Sequence, residues 1–129
     1  MNQPYIIPTI TTNENGISVF EDIDFSVHQR GGLFLTEQIG SKNFRIRKSN
    51  VNYATDFHLA GDATFIIIQK GSLKIEMQNG DFKIFHGGDC FIAKDNLPEH
   101  IIFNNQIHGH KASVFGNETL QAIHIKLNV

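Results

Sequence analysis

The sequence predicts an all-β protein, and three observations carry that prediction. Apolar residues recur with a period of two: Phe44-Arg45-Ile46-Arg47, Leu73-Lys74-Ile75-Glu76-Met77 and Gln121-Ala122-Ile123-His124-Ile125-Lys126-Leu127 each alternate, as strands with two different faces do. The composition holds eleven Phe and eleven Gly but only three Pro and no Trp, and aromatic residues favour strands while glycine marks turns. Finally, Gln78-Asn79-Gly80-Asp81 joins two alternating runs, Leu73 to Met77 and Phe82 to Phe85. Asn-Gly between such runs is a strong hairpin signal, and a type I′ turn with φ > 0 at both central residues is expected.

In chain order, an apolar strand at Tyr5-Ile6-Ile7 precedes a turn at Asn13 to Gly16 and a strand from Ile17 to Phe20; a short helix near Glu21 to Phe25 is compatible with the pattern. Strands are predicted from Leu33 to Glu37, across Phe44 to Arg47 after a turn at Ser41 to Asn43, from Asp56 to Ala60, and from Thr64 to Gln69. In the last, Thr64, Ile66 and Ile68 share one face and Phe65, Ile67 and Gln69 the other, both largely apolar, as in a strand between layers. The turn His86-Gly87-Gly88-Asp89 leads into Cys90-Phe91-Ile92-Ala93, and the alternating C-terminal run closes the set. Closely spaced strands with polar turns imply a sandwich or barrel.

The chain has 129 residues, 40% hydrophobic and 19% charged, with a net charge of −2. One domain spanning 1–129 is expected, large enough for a core without metal or disulfide staples. Disorder is excluded by the low charge and ample apolar content. No bulk positive field exists to recruit nucleic acid or an anionic membrane. Arg45, Arg47 and Lys48, with Lys42, form a local basic patch; Arg45 and Arg47 share a face and read as a solvated strand surface. The single cysteine, Cys90, allows no internal disulfide and reads as a small buried hydrophobe. No apolar run approaches the ~20 residues of a membrane span, and Met1-Asn2-Gln3-Pro4 lacks a basic leader region, so a soluble cytoplasmic protein is the expectation.

Seven histidines stand out: His28, His58, His86, His100, His108, His110 and His124. Imidazole is the commonest metal ligand and titrates near neutrality. Around three of them the chain resembles the cupin superfamily. His58 to Gly71 is similar to the first cupin motif, which runs His-x-His, Glu, six residues, Gly. Aligned on Gly71, His58 keeps the first histidine, Ala60 replaces the second, and Thr64 stands where the carboxylate falls. Gly87-Gly88-Asp89 resembles the turn opening the second motif, and His100 followed by Asn104 matches its His-x-x-x-Asn ending with one extra residue. A second alignment, to small single-domain cupins with a His-x-Ala segment, uses His58-Leu59-Ala60, Asp89 to Asp95 and Gly109-His110, with a loop insertion between Asn96 and His108, and covers nearly the whole chain.

The resemblance implies a double-stranded β-helix (jelly-roll) barrel of cupin type, open at one end, with a small-molecule pocket between its sheets. It implies a divalent metal ion (Fe, Mn, Ni or Zn) on His58 with His100 or His110, the choice between the last two being open, and a pocket including Thr64, Ala60 and Tyr53. Two function classes follow: a metal-dependent dioxygenase or isomerase acting on a small organic substrate, or a non-catalytic module that binds or senses a small ligand. Sugar-nucleotide epimerisation ranks behind both, because spacing alone sets no Asp–His pair. His28 and His86 read as solvated residues beside turns, His124 as surface or core packing, and Asp89 as a turn-stabilising residue. The Tyr5-Ile6-Ile7 strand reads as an apolar sheet edge, so a homodimer is expected.

Overall fold

The computed structural model describes residues 3–128. Among them are no helices and eleven strands: β1 (Tyr5–Thr12), β2 (Ser18–Phe25), β3 (Val27–Arg30), β4 (Leu33–Thr36), β5 (Ser41–Ser49), β6 (Thr64–Lys70), β7 (Ser72–Met77), β8 (Phe82–His86), β9 (Cys90–Ala93), β10 (His110–Val114) and β11 (Leu120–Leu127). A six-stranded sheet runs β2-β1-β9-β6-β11-β5; a three-stranded sheet runs β10-β7-β8; β3 and β4 form a separate hairpin. Two isolated bridges, Ala54 to Ser113 and His58 to His110, lay the 54–58 segment along β10 as a fourth, irregular member of the small sheet.

Alternation decides which side chains meet. In β6, Thr64, Ile66 and Ile68 are buried, and β7 buries Leu73, Ile75 and Met77 with the same period. These residues pack with Ile10, Phe85, Phe91, Ala93, Leu120 and Ala122 into one cluster drawn from both sheets. Phe85 and Phe91 stack at 4.3 Å between ring centroids. The result is a double-sheet jelly roll whose sheets do not close around the interior. Outside the large sheet, Ile7, Ile92 and Leu127 form a second, smaller cluster with Phe65 and Ile125.

Several local expectations are corrected. Glu21 to Phe25 is strand, not helix, because each residue pairs with β1 from Tyr5 to Thr9. β1 as a whole is not an edge strand: it lies between β2 and β9, and the edges of the large sheet are β2 and β5, although β9 pairs only with Thr9 and Ile10, so Tyr5–Ile7 pairs on the β2 side alone. Asp56 to Ala60 is not a regular strand, since it is held to β10 only by the bridge at His58. The hairpin after β7 has no type I′ turn. Only Gly80 has positive φ there (+94°). Met77 O accepts from Gly80 N at 3.1 Å while Met77 N donates to Asp81 O at 2.8 Å, the pattern of a type I turn followed by a glycine bulge. Asn79 Oδ1 accepts from Asp81 N at 2.9 Å, so the asparagine stabilises the turn with its side chain instead of a left-handed backbone.

Candidate functional site: a histidine-walled cavity between the sheets

The site is assembled from three stretches of backbone. β10 begins at His110, and Gly109 before it has φ of +87°. A Cβ on Gly109 would lie 2.6 Å from the carbonyl oxygen of His58, so only glycine lets the two segments approach this closely. In that contact His58 N donates to His110 O and His110 N donates to His58 O, both at 2.9 Å. The two imidazoles consequently lie side by side, with ring centroids 4.6 Å apart and planes tilted by 52°.

The third stretch is the segment leaving β9. Asp95 is fully buried, and Lys94 N donating to Ile10 O fixes it in place. Its carboxylate accepts from Ser18 Oγ at 2.5 Å, from Ala60 N at 3.0 Å and from His110 Nδ1 at 2.8 Å. A buried carboxylate needs such donors, and no buried side-chain nitrogen or oxygen among the described residues lacks a partner. With the carboxylate as acceptor, His110 Nδ1 is the donor in this contact, and Nε2 is the ring nitrogen left outside it. His58 is fixed likewise: Nδ1 donates to Asp56 O at 2.9 Å, leaving its Nε2 free. One acidic group thus sets the tautomer and orientation of a neighbouring imidazole.

Both histidines line a cavity of about 100 Å³ between the sheets. Ile66, Leu73, Ile75, Phe91 and Ala122 form its apolar wall, and Arg47, Ser49, Tyr53, Thr55 and His124 its polar one. β5 contributes through register: Arg47 lies opposite Ala122 and Arg45 opposite His124. Burial, helped by Arg47, Lys126 and Arg45, lowers the pKa of His124 to about 4, so its ring is neutral near pH 7. Arg47 Nη2 donates to Tyr53 Oη at 3.5 Å.

The structure therefore brings together His58, His110 and Tyr53. It does not bring His100 to them: His100 lines a separate surface groove with Leu97, Pro98, Ile101 and His108, against the Asn13–Gly16 turn. Thr64 and Ala60 are not on the cavity wall. Thr64 is buried, donating to Asp62 O and accepting from Lys126 Nζ; Ala60 packs against the core and serves Asp95 through its backbone. Sequence reasoning missed Asp95, Ser18, His124 and Arg47. Asp95 and Ser18 carry no local signal, as 77 residues separate them. His124 and Arg47 were hidden by patterning: β11 carries apolar residues on both faces, and in β5 the apolar pair Phe44 and Ile46 points away from the cavity, so the Arg45/Arg47 face, read from the sequence as a solvated strand surface, is the one that turns Arg47 onto the cavity wall.

Other residues have structural partners. Asp89 Oδ2 accepts from His86 N at 2.7 Å across its turn. Cys90 is half-buried in the outer cluster, where burial raises its thiol pKa despite a hydrogen bond from Tyr5.

A divalent metal fits this donor set poorly. Among the described residues no three of His, Cys, Asp and Glu converge on one point. His58 and His110 supply two imidazoles, whereas protein-held catalytic ions ordinarily take three protein ligands. Nor is any helix among the described residues long and apolar enough to cross a membrane.

No protein-family model matches the chain, and no curated protein matches it. Among solved structures, a cupin 2 conserved barrel domain protein from Rhodopseudomonas palustris is similar over 98% of this chain and 72% of that one, at 10% identity and a TM-score of 0.48. An ethanolamine utilization protein q from Salmonella typhimurium is similar over 98% of this chain and 97% of that one, at 14% identity and a TM-score of 0.46.

Proposed function

We propose that this protein binds a small organic molecule in the cavity between its sheets, and that His110 is the group that accepts a proton or hydrogen bond from it. The observation that carries this reading is the buried Ser18–Asp95–His110 chain, which leaves His110 Nε2 as the free ring nitrogen at a cavity wall. A neutral imidazole backed by a buried carboxylate is suited to general base work, because the carboxylate stabilises the imidazolium formed when Nε2 takes a proton. His58, fixed in the same tautomer, offers a second acceptor beside it. The apolar lining supplied by Ile66, Leu73, Ile75, Phe91 and Ala122 favours a ligand with an apolar body.

The expected test is a thermal-shift screen of small carboxylates, phosphates, polyols and amides against the wild type and His110→Asn. Ligands that raise the wild-type melting temperature should lose that effect in His110→Asn. Undiminished stabilisation of the variant by every ligand would overturn the reading. Metal analysis of the purified protein belongs beside it: a stoichiometric transition metal lost in His58→Ala would replace the proton-acceptor reading with a metal-dependent one.

A further inference from the structure

We propose that the ligand of this cavity is a small organic anion, whose carboxylate or phosphate group is held by Arg47 on the β5 side while the rest of the molecule reaches His58 and His110. This rests on the reading above that the cavity binds a ligand. Its own support is the distribution of charge around one wall.

β5 carries Lys42, Arg45, Arg47 and Lys48 and no acidic residue, four of the chain's eleven Lys and Arg within nine residues. The whole chain is nevertheless acidic by two charges, so its carboxylates lie elsewhere. Alternation puts Arg45 and Arg47 on the cavity side of β5, facing the same way as Ala122 and His124 of β11, with Lys126 two residues beyond His124. None of Arg45, Arg47 and Lys126 has a carboxylate within 4 Å among the described residues. Arg47 reaches only the Tyr53 hydroxyl and Lys126 only the Thr64 hydroxyl. Other cations are engaged with acids: Lys42 with Asp62, Lys70 with Glu118, and Lys74 and Lys111 with Glu76.

Edge protection of a sheet is an ordinary reason for basic residues on an outer strand, and it accounts for Lys48, which points to the other face, and for Lys42, which stands at a bulge. It does not account for Arg47 on a cavity wall. Arg47 stands on the cavity wall, and Arg45 and Lys126, on the same side of their strands though outside the lining, add to the positive potential there; a guanidinium with a free donor fork matches a carboxylate or phosphate in two hydrogen bonds. Ser49 and Tyr53 stand beside Arg47 on the same wall as further hydroxyl partners. The volume limits the ligand: about 100 Å³ is a few times the ~30 Å³ share of one water molecule. That admits a body of a few carbon atoms with the charged end at the arginine.

The test measures binding by calorimetry at fixed ionic strength, using acetate, glycolate, succinate, inorganic phosphate and phosphoglycolate, with acetamide and glycerol as neutral counterparts. Variants are Arg47→Gln, Arg47→Lys and, as an outer-face control, Lys48→Gln, each checked for native circular dichroism. At least one anion should bind where the neutral compounds do not. Arg47→Gln should weaken it about tenfold or more, Arg47→Lys should recover part of the loss, and Lys48→Gln should change nothing. The carboxylate and phosphate arms tell which group is preferred. Neutral compounds binding as well as anions, with Arg47→Gln silent and His110→Asn disruptive, would overturn the anion proposal and leave the pocket reading intact. No binding by any compound would overturn both.

Discussion

Asp95 shows how narrowly a buried charge is tolerated: its carboxylate accepts from Ser18, Ala60 and His110, drawn from three parts of the chain. Asp95→Ala removes the acceptor and strands those donors, and each buried donor left unsatisfied costs about 1–3 kcal/mol. Ser18→Ala deletes one donor and should cost about 1–3 kcal/mol. Urea unfolding midpoints measure both, and the double variant should fall short of the sum because the groups share one network. An Asp95→Ala midpoint equal to that of the wild type would remove the structural basis for His110's orientation. His124 makes a pH prediction of definite sign. Its folded pKa is near 4, against 6.5 in the unfolded chain. Between those values the unfolded chain binds a proton that the folded chain does not, so stability rises with pH across that window. The contribution is complete above about pH 6.5 and is lost as pH falls toward 4. Subtracting the His124→Gln stability profile from the wild-type profile isolates it, and a difference independent of pH between 4 and 6.5 would count against buried His124.

At the scale of elements, two glycines with similar backbone angles should respond differently to alanine. Gly80 has φ of +94° in the β7–β8 turn and open space around its Cβ position. Gly80→Ala therefore meets only the left-handed backbone penalty, about 1–2 kcal/mol. Gly109 adds a collision with the His58 peptide at 2.6–2.8 Å, so Gly109→Ala should destabilise more and should speed hydrogen exchange at the His58 and His110 amides, whose mutual bonds it forces apart. Equal losses from the two substitutions would mean that the close approach of those segments is unimportant. The same comparison shows what was legible in the sequence. Period-two patterning located β6, β7, β9 and β11 because each buries successive alternate residues: Thr64, Ile66 and Ile68; Leu73, Ile75 and Met77; Phe91 and Ala93; Leu120 and Ala122. β10 went unpredicted because its residues are only partly covered after His110. The Asn79-Gly80 dipeptide announced a hairpin but not its type, which the Asn79 side chain decided. His58 and Gly109-His110 were visible as motif pieces, whereas their union with Asp95 and Ser18 depends on contacts far apart along the chain.

At the scale of the whole molecule, the premise for self-association changes while the expectation survives as a proposal. β1 is an inner strand of the large sheet, and of the two edge strands β2 and β5 it is β5 that carries Phe44, 70% exposed, and Ile46, 59% exposed, on the outer face. They border a second apolar area: Ile39, Phe65, Ile125 and Leu127 line an outer groove of about 230 Å³, and Tyr5, Ile6, Leu33 and Phe34 are also exposed. Phe44 and Ile46 share the outer face of the large sheet with the groove residues Phe65, Ile125 and Leu127, and large apolar side chains gathered this way mark association surfaces more often than free solvent boundaries. A second copy of the chain is the proposed cover, because a net charge of −2 gives copies little mutual repulsion and a two-fold axis lets one patch cover its own counterpart. The cavity-facing Arg47 lies on the opposite side of β5, so pairing through the outer face leaves the proposed ligand site accessible. Light scattering at micromolar concentration should give twice the 14.5 kDa of one chain. The Phe44→Lys, Ile46→Lys double variant should give the single-chain mass with an unchanged β-type circular dichroism spectrum, since these side chains contribute little to the interior. A wild-type mass of one chain, or a double variant that remains paired, would place the contact elsewhere or abolish it.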